Sequence, residues 1–178
     1  MRPALRPGAA AVDATCGNGH DTLFLCRALA GRGFVLGIDI QKAALLRTRG
    51  RLAEHGLEAR LLHGDHRRLA GHLDEAGLAR IDAAIFNLGY LPGGDRTLTS
   101  RPESTVGALR ACLARGAPGF RLAVTAYRGH AGGADEERAV RAFMEEAAAA
   151  GHPAVREETP GDGPVFYGLS KLKQKSIQ

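Results

Sequence analysis

Three short stretches of this 178-residue chain combine residue types in an order that chemistry can use. The first is VDATCGNGHDT at 12–22, where Asp13 closes an apolar run, Gly17, Asn18 and Gly19 follow, and Asp21 and Thr22 open a helical stretch. Glycines let the backbone approach a ligand closely, and a helix start offers unpaired N–H groups to an anion. The second is GIDIQ at 37–41, which sets Asp39 20 residues beyond Gly19, with Gln41 two further on. A carboxylate at that place can accept both hydroxyls of a ribose. The two stretches together describe a site for a nucleoside cofactor. The third is FNLGYLPGGD at 86–95. A turn needs only its Gly and Pro residues; Asn87 and Tyr90 call for a ligand.

The cofactor can be narrowed. A dinucleotide fingerprint GxGxxG needs a third glycine where Thr22 stands, so that pattern is incomplete. The methionine carboxylate of S-adenosylmethionine (SAM) tolerates the change more easily than a pyrophosphate does. Asp13 can orient the glycine loop and face a cationic amino acid tail, or it can bond loop amides only. In LLHGDH, Asp65 either accepts from an adenine amino group or caps the short helix that follows, and His66 stands beside it. In methyltransferases that act on amines, an Asn or Asp followed by a turn accepts hydrogen bonds from the target nitrogen and aims its lone pair at the methyl group. Asn87 with the Leu88 carbonyl can do this, Tyr90 can stack on a target base, and Gly89, Pro92 and the glycines after it shape the turn. In-line displacement needs reacting atoms about 3 to 3.5 Å apart, so positioning supplies much of the acceleration.

An alkyl amine is mostly protonated at neutral pH and must lose a proton before it attacks. His130 and His66 are the candidates, because histidine as a residue type titrates near neutral pH; each can instead be a structural histidine, and desolvation can select the neutral amine. His63 and His66 have no third ligand at convincing spacing, so zinc is not expected. Cys16, Cys26 and Cys112 form neither a disulfide framework nor a CxxC pair, which suits a reducing cytoplasm. Cys16 reads as a packing residue.

These residues need a scaffold. Apolar runs at 10–14, 34–40, 59–63, 82–86, 121–127 and 165–169 alternate with helix-forming stretches at 21–30, 42–55, 103–115 and 134–150. Nearly all-apolar strands separated by helices imply an α/β fold, a mostly parallel sheet with helices on both faces, and ligands collect outside the carboxyl ends of such strands. Gly116 reads as a helix stop, and Ser100 with Glu103 has capping-box spacing, with Pro102 in the first turn. Beyond Pro153 a final hairpin is expected. With 44% hydrophobic and 24% charged residues, the chain reads as one globular domain spanning 1–178. No run approaches the roughly 20 apolar residues of a membrane span, and the first residues lack the apolar core of a signal peptide, so a soluble cytoplasmic protein is expected. A net charge of +5 permits a polyanion partner without requiring one.

The stretches quoted above, with ST at 104–105 and YRGHAGG at 127–133, resemble the small SAM-dependent methyltransferases long labelled rRNA methylases. Characterised members methylate the aminomethyl group of wobble 5-aminomethyl-2-thiouridine in tRNA. The resemblance implies a class I methyltransferase fold with a seven-stranded sheet, SAM as methyl donor, a tRNA anticodon stem-loop as partner and a homodimer. It places Asp13, Gly17, Asn18, Gly19, Asp21, Thr22, Asp39, Gln41, Asp65, His66 and Asn87 around the cofactor. Asn87, Tyr90 and His130 fall at the reaction, and Leu88, Gly89, Pro92 and Arg128 on the substrate side. The chain departs from the family at three places. The chain starts almost at the first strand, before which members usually carry a further helix, the family's HGH becomes Arg128-Gly129-His130, and the Asn and paired prolines before the last strand are missing. Arginine at 128 can bind an RNA phosphate but cannot serve as a base. Two other readings remain open: a SAM enzyme acting on rRNA or a small amine, and a nucleotide-binding module without methyl transfer.

Overall fold

The structure is a computed structural model describing residues 1, 4–89, 91, 93, 99–161 and 163–172. In chain order the elements are β1 (Ala10–Asp13), α1 (His20–Ala28), β2 (Phe34–Asp39), α2 (Lys42–Ala53), β3 (Arg60–His63), a 3-10 turn (His66–Arg68) leading into α3 (Leu69–Glu75), β4 (Ile81–Leu88), α4 (Pro102–Arg115), β5 (Gly116–Ala126), α5 (Gly133–Ala149), β6 (Ala154–Glu158) and β7 (Val165–Ser170). The strands form one seven-stranded sheet in the order β3-β2-β1-β4-β5-β7-β6. Pairing is parallel from β3 through β5, and β7 runs antiparallel to both its neighbours. The expected hairpin at the end of the chain is therefore β6–β7.

Alternate side chains along the strands face opposite layers, as the pleat requires. Ala11, Val35, Ala83 and Ile85 point to a core built with Leu23, Leu25 and Cys26 of α1 and Leu52 of α2. Their neighbours Val12, Leu36, Ala84 and Phe86 point to the other face. There Leu69 and Leu73 of α3, Leu109 and Cys112 of α4, and Val140, Phe143 and Met144 of α5 cover them. Both faces of the central strands are thus buried, which is why those strands read as unbroken apolar runs. Among the described residues, no helix is long and apolar enough to cross a membrane.

Two local expectations are corrected. Gly116 does not cap α4 in the left-handed region; its φ of −61° and ψ of 129° are extended, and it opens β5 directly. Ser100 is not the cap of α4 either. Arg101 holds the N-cap position without a side-chain bond, Pro102 takes the first turn as expected, and the Ser100 hydroxyl turns inward to Glu136.

Strand order reverses between β1 and β4, where β2 leaves to one side and β5 to the other. A crevice opens at such a switch point, at the carboxyl ends of the strands. Asp13 ends β1, Asp39 ends β2, and Asn87 and Leu88 end β4.

Candidate functional site

On the β1–β2 side, carboxylates organise the backbone. Asp13 is fully buried; its Oδ2 accepts from the Thr22 hydroxyl at 2.6 Å and its Oδ1 from the Thr15 N–H at 3.2 Å. Burial is the main reason its carboxyl pKa is pushed up to about 7, and the Thr22 bond works against that rise. Asp13 therefore braces the loop from beneath. Asp39 accepts from the Gly17 N–H at 2.9 Å and the Gln41 N–H at 2.8 Å, so one carboxylate joins the glycine loop to the start of α2. Burial raises its pKa, and the two N–H bonds oppose the rise. Two N–H bonds leave lone pairs on both oxygens for ribose hydroxyls. The Gln41 side chain is itself buried.

The loop between β1 and α1 depends on a residue without Cβ. Gly19 has φ +80°, and a Cβ there would lie 2.8 Å from the Thr48 Cα of α2. Two arginines of α2 hold the same loop from outside. Arg47 donates to Asn18 Oδ1 at 3.1 Å and to the Gly93 carbonyl at 3.0 Å, and Arg51 donates to the Asn18 carbonyl at 2.7 Å. The first N–H groups of α1 have no carbonyl one turn earlier to bond, as at any helix start. This end of α1 suits a carboxylate.

Of the two roles open to Asp65, the structure realises the cap: its Oδ1 accepts from the Arg67 N–H at 2.7 Å. His66 is buried edge-on against Phe86 with ring centroids 5.9 Å apart, and its Nε2 lies 3.4 Å from the Thr105 hydroxyl. Burial lowers its pKa, so it is a neutral imidazole at pH 7. His63 contacts the Ile40 carbonyl at 2.9 Å, and no metal-holding group of His, Cys, Asp or Glu occurs among the described residues. All three cysteines are buried free thiols. Burial raises their pKa values, that of Cys26 to about 11, so none is a nucleophile at pH 7.

The β4 side is assembled from residues distant in sequence. Asn87 donates its backbone N–H to the Thr15 hydroxyl at 2.7 Å and its Nδ2 to Asp21 Oδ2 at 2.6 Å. With Nδ2 engaged by α1, Oδ1 is the acceptor of this amide. The Leu88 carbonyl accepts from Tyr127 N–H at 3.4 Å, which extends the β4–β5 pairing and leaves its second lone pair. Gly89 bonds Ser100 twice: its N–H donates to the hydroxyl at 3.0 Å and its carbonyl accepts from Ser100 N–H at 3.3 Å. Ser100 and Thr105 each donate to one oxygen of Glu136, at 2.7 and 2.6 Å. Ser100 and Glu136 carry no local motif for this role; only the packing of the segment before α4 against the first turn of α5 brings them together.

His130 lies beside this segment. Its Nδ1 is 3.0 Å from the Ala131 carbonyl, and its Nε2 is 3.4 Å from where a Gly89 Cβ would stand. Tyr127, half exposed, borders the same glycine. Tyr90 and Pro92 lie outside the described residues. The phosphate role expected of Arg128 is corrected. Its guanidinium pairs with Glu158 at 2.5 Å and donates to the carbonyls of Thr159, Gly161 and Gly163, so it latches the β6–β7 loop and its donors face protein.

A profile of the family described as "Putative rRNA methylase" matches residues 35–158, well over half of the chain. The chain belongs to this methylase family. It is also 33% identical over 149 residues to the chloroplastic tRNA (mnm5s2U34)-methyltransferase of Arabidopsis thaliana, covering 78% of this chain and 54% of the relative. The chain thus spans about half the length of that relative. Among solved structures, an rRNA methylase of Clostridium thermocellum, titled "putative", superposes with a TM-score of 0.88 at 30% identity, covering 96% of this chain and 92% of that one. A "putative methyltransferase" from Streptococcus mutans, solved with S-adenosylhomocysteine (SAH), gives 0.83 at 30% identity, covering 97% and 93%. The fold of this family member is that of class I SAM-dependent methyltransferases, the mostly parallel seven-stranded sheet expected from its sequence.

Proposed function

We propose that this chain is a SAM-dependent methyltransferase whose acceptor is the aminomethyl nitrogen of wobble 5-aminomethyl-2-thiouridine in tRNA. The observation that carries the reading is the placement of two strand ends, those of β2 and β4, on either side of β1 at the switch point. Asp39 ties the glycine loop together, and Asn87 is fixed by a bond from its Nδ2 to Asp21 in the first turn of α1. The donor set fits the cofactor: Asp39 would hold the ribose, and the start of α1 the methionine carboxylate. Gly17, at φ +53°, turns the loop where a Cβ would already touch Leu91 Cδ1 at 3.7 Å, so the glycine keeps a side chain out of the cradle. When bound, SAM supplies an electrophilic methyl group.

The protein's part is to orient the amine and remove its proton. Asn87 Oδ1 and the Leu88 carbonyl accept from the amine N–H groups and leave the lone pair directed at the methyl. His130 fits the role of proton acceptor. Its Nδ1 lies 3.0 Å from the Ala131 carbonyl, and the ring stands against Gly89, two residues from Asn87. His66, buried and turned to Thr105, suits a structural place. Tyr127 adds an exposed ring on which a base can stack. The enzyme acts as a cytoplasmic homodimer on the anticodon stem-loop.

Two comparisons test this reading. Nucleoside mass spectrometry of tRNA from cells with and without the gene should show loss of the methylated wobble nucleoside; an unchanged profile would sink the tRNA assignment. Calorimetric titration with SAM and with NAD should show binding of SAM only. The family's description favours rRNA as a second acceptor, and rRNA nucleosides from the same cells decide between the two.

A further inference from the structure

Glu136 is 1% exposed, and among the described residues no cation pairs with it. Burying a carboxylate is costly unless hydrogen bonds satisfy it. Here both oxygens accept hydroxyl protons, one from Ser100 before α4 and one from Thr105 within α4, and the side chain projects from the first turn of α5, where a helix favours negative charge. An apolar group would fill this space more simply, so the carboxylate has a directional task. It draws the Ser100 proton toward α5, which turns the hydroxyl lone pairs to the Gly89 N–H. The Ser100 backbone closes a second bond to the Gly89 carbonyl. Gly89, at φ +143°, is the residue at which the chain leaves β4, two positions after Asn87. A serine hydroxyl left to rotate would hold that exit less firmly.

We infer that Glu136 is a positioning residue for methyl transfer, fixing Gly89 through the Ser100 hydroxyl and thereby setting Asn87 and the Leu88 carbonyl against the acceptor amine. The inference rests on the methyltransferase reading. Thr105 gives the same carboxylate a second anchor, which in turn reaches His66, so α4 and α5 brace the acceptor side of the crevice together. Glutamine at 136 would retain the shape but accept from only one of the two hydroxyls, because its amide nitrogen donates.

The test compares wild type, Glu136→Gln, Ser100→Ala and the double variant. Amide exchange at Gly89, followed by NMR without substrate, should accelerate roughly tenfold or more in each variant. In methylation assays kcat should fall by about tenfold or more while the SAM Kd stays within about twofold. The double variant should be no worse than the weaker single one, because both changes cut one chain of contacts. Unchanged Gly89 exchange in Glu136→Gln, multiplied losses in the double variant, or SAM affinity falling in step with kcat would each overturn the inference. If Glu136→Gln fails to fold, Ser100→Ala carries the same test. Should the wild-type protein methylate no tRNA, the substrate reading fails while Gly89 exchange still decides this one.

Discussion

The two halves of the crevice are held in different ways. On the β1–β2 side, carboxylates at strand ends bond backbone N–H groups a few residues away or in the loop after the neighbouring strand, as Asp39 does with Gln41 and Gly17. On the β4–β5 side, the segment from Asn87 to Gly89 is held by side chains from three helices or their approaches: Asp21, Ser100 and, through it, Glu136. The first half is gathered around two neighbouring strand ends and one loop, which α2 also holds through Arg47 and Arg51. The second depends on α1, α4 and α5 docking correctly, so it is the half in which distant changes should alter chemistry without altering cofactor affinity.

Mutations can break or sharpen that contrast. The largest effect is expected from Asn87→Ala, which should lower kcat by roughly 100-fold or more while leaving the SAM Kd within about threefold, as read by steady-state kinetics beside calorimetry. Asp39→Ala should do the opposite. It removes the acceptor of two N–H groups and the proposed ribose partner, and should weaken SAM binding by about 10- to 100-fold in the same calorimeter. If both variants lost cofactor affinity equally, the division into two halves would be wrong.

A smaller effect follows from Asp13. Its folded pKa of about 7 lies above the usual 3.8 because of burial. The native protein therefore keeps a proton that the unfolded chain releases as pH rises above about 4. Asp13 thus costs stability progressively from about pH 4 to about pH 7, and the cost is constant above that window. Melting of wild type and Asp13→Asn across this range should diverge with rising pH, the wild type falling behind by roughly 5 °C at pH 8. Parallel curves would contradict the burial argument. Smallest is Arg128→Ala, which frees the β6–β7 loop. We expect a melting shift of about 2 °C and an unchanged KM for RNA; a large rise in that KM would restore the phosphate role.

The contrast also explains what the sequence made legible. Asp13, Gly17, Gly19 and Asp39 stand within short motifs whose geometry follows from a strand, a turn and a helix start, so their placement at two adjacent strand ends could be read directly. The sheet was legible for the same reason: strands buried on both faces are apolar throughout. β6 (Ala154–Glu158) was legible only as an arm of the expected final hairpin and not as an apolar run, since it is an edge strand of largely exposed, charged residues. Ser100 had the spacing of a helix cap, yet the pull of a buried carboxylate 36 residues away outweighed that local preference. Glu136 is one of two acids in the first turn of α5, and no sequence pattern sets it apart, because only the packing of α4 against α5 shows that it points inward. Arg128 was legible as a cation near the site, but its partners lie on a hairpin that no local pattern connects to it.

The central claim is that the Asn87 half of the crevice presents a wobble-uridine amine to SAM. It is tested most directly by incubating purified protein with labelled SAM and defined tRNAs bearing 5-aminomethyl-2-thiouridine, followed by nucleoside analysis. The account predicts label in the methylaminomethyl nucleoside at the wobble position with wild type, and almost none with Asn87→Ala despite intact SAM binding. Label elsewhere in the tRNA, or full activity in Asn87→Ala, would contradict it.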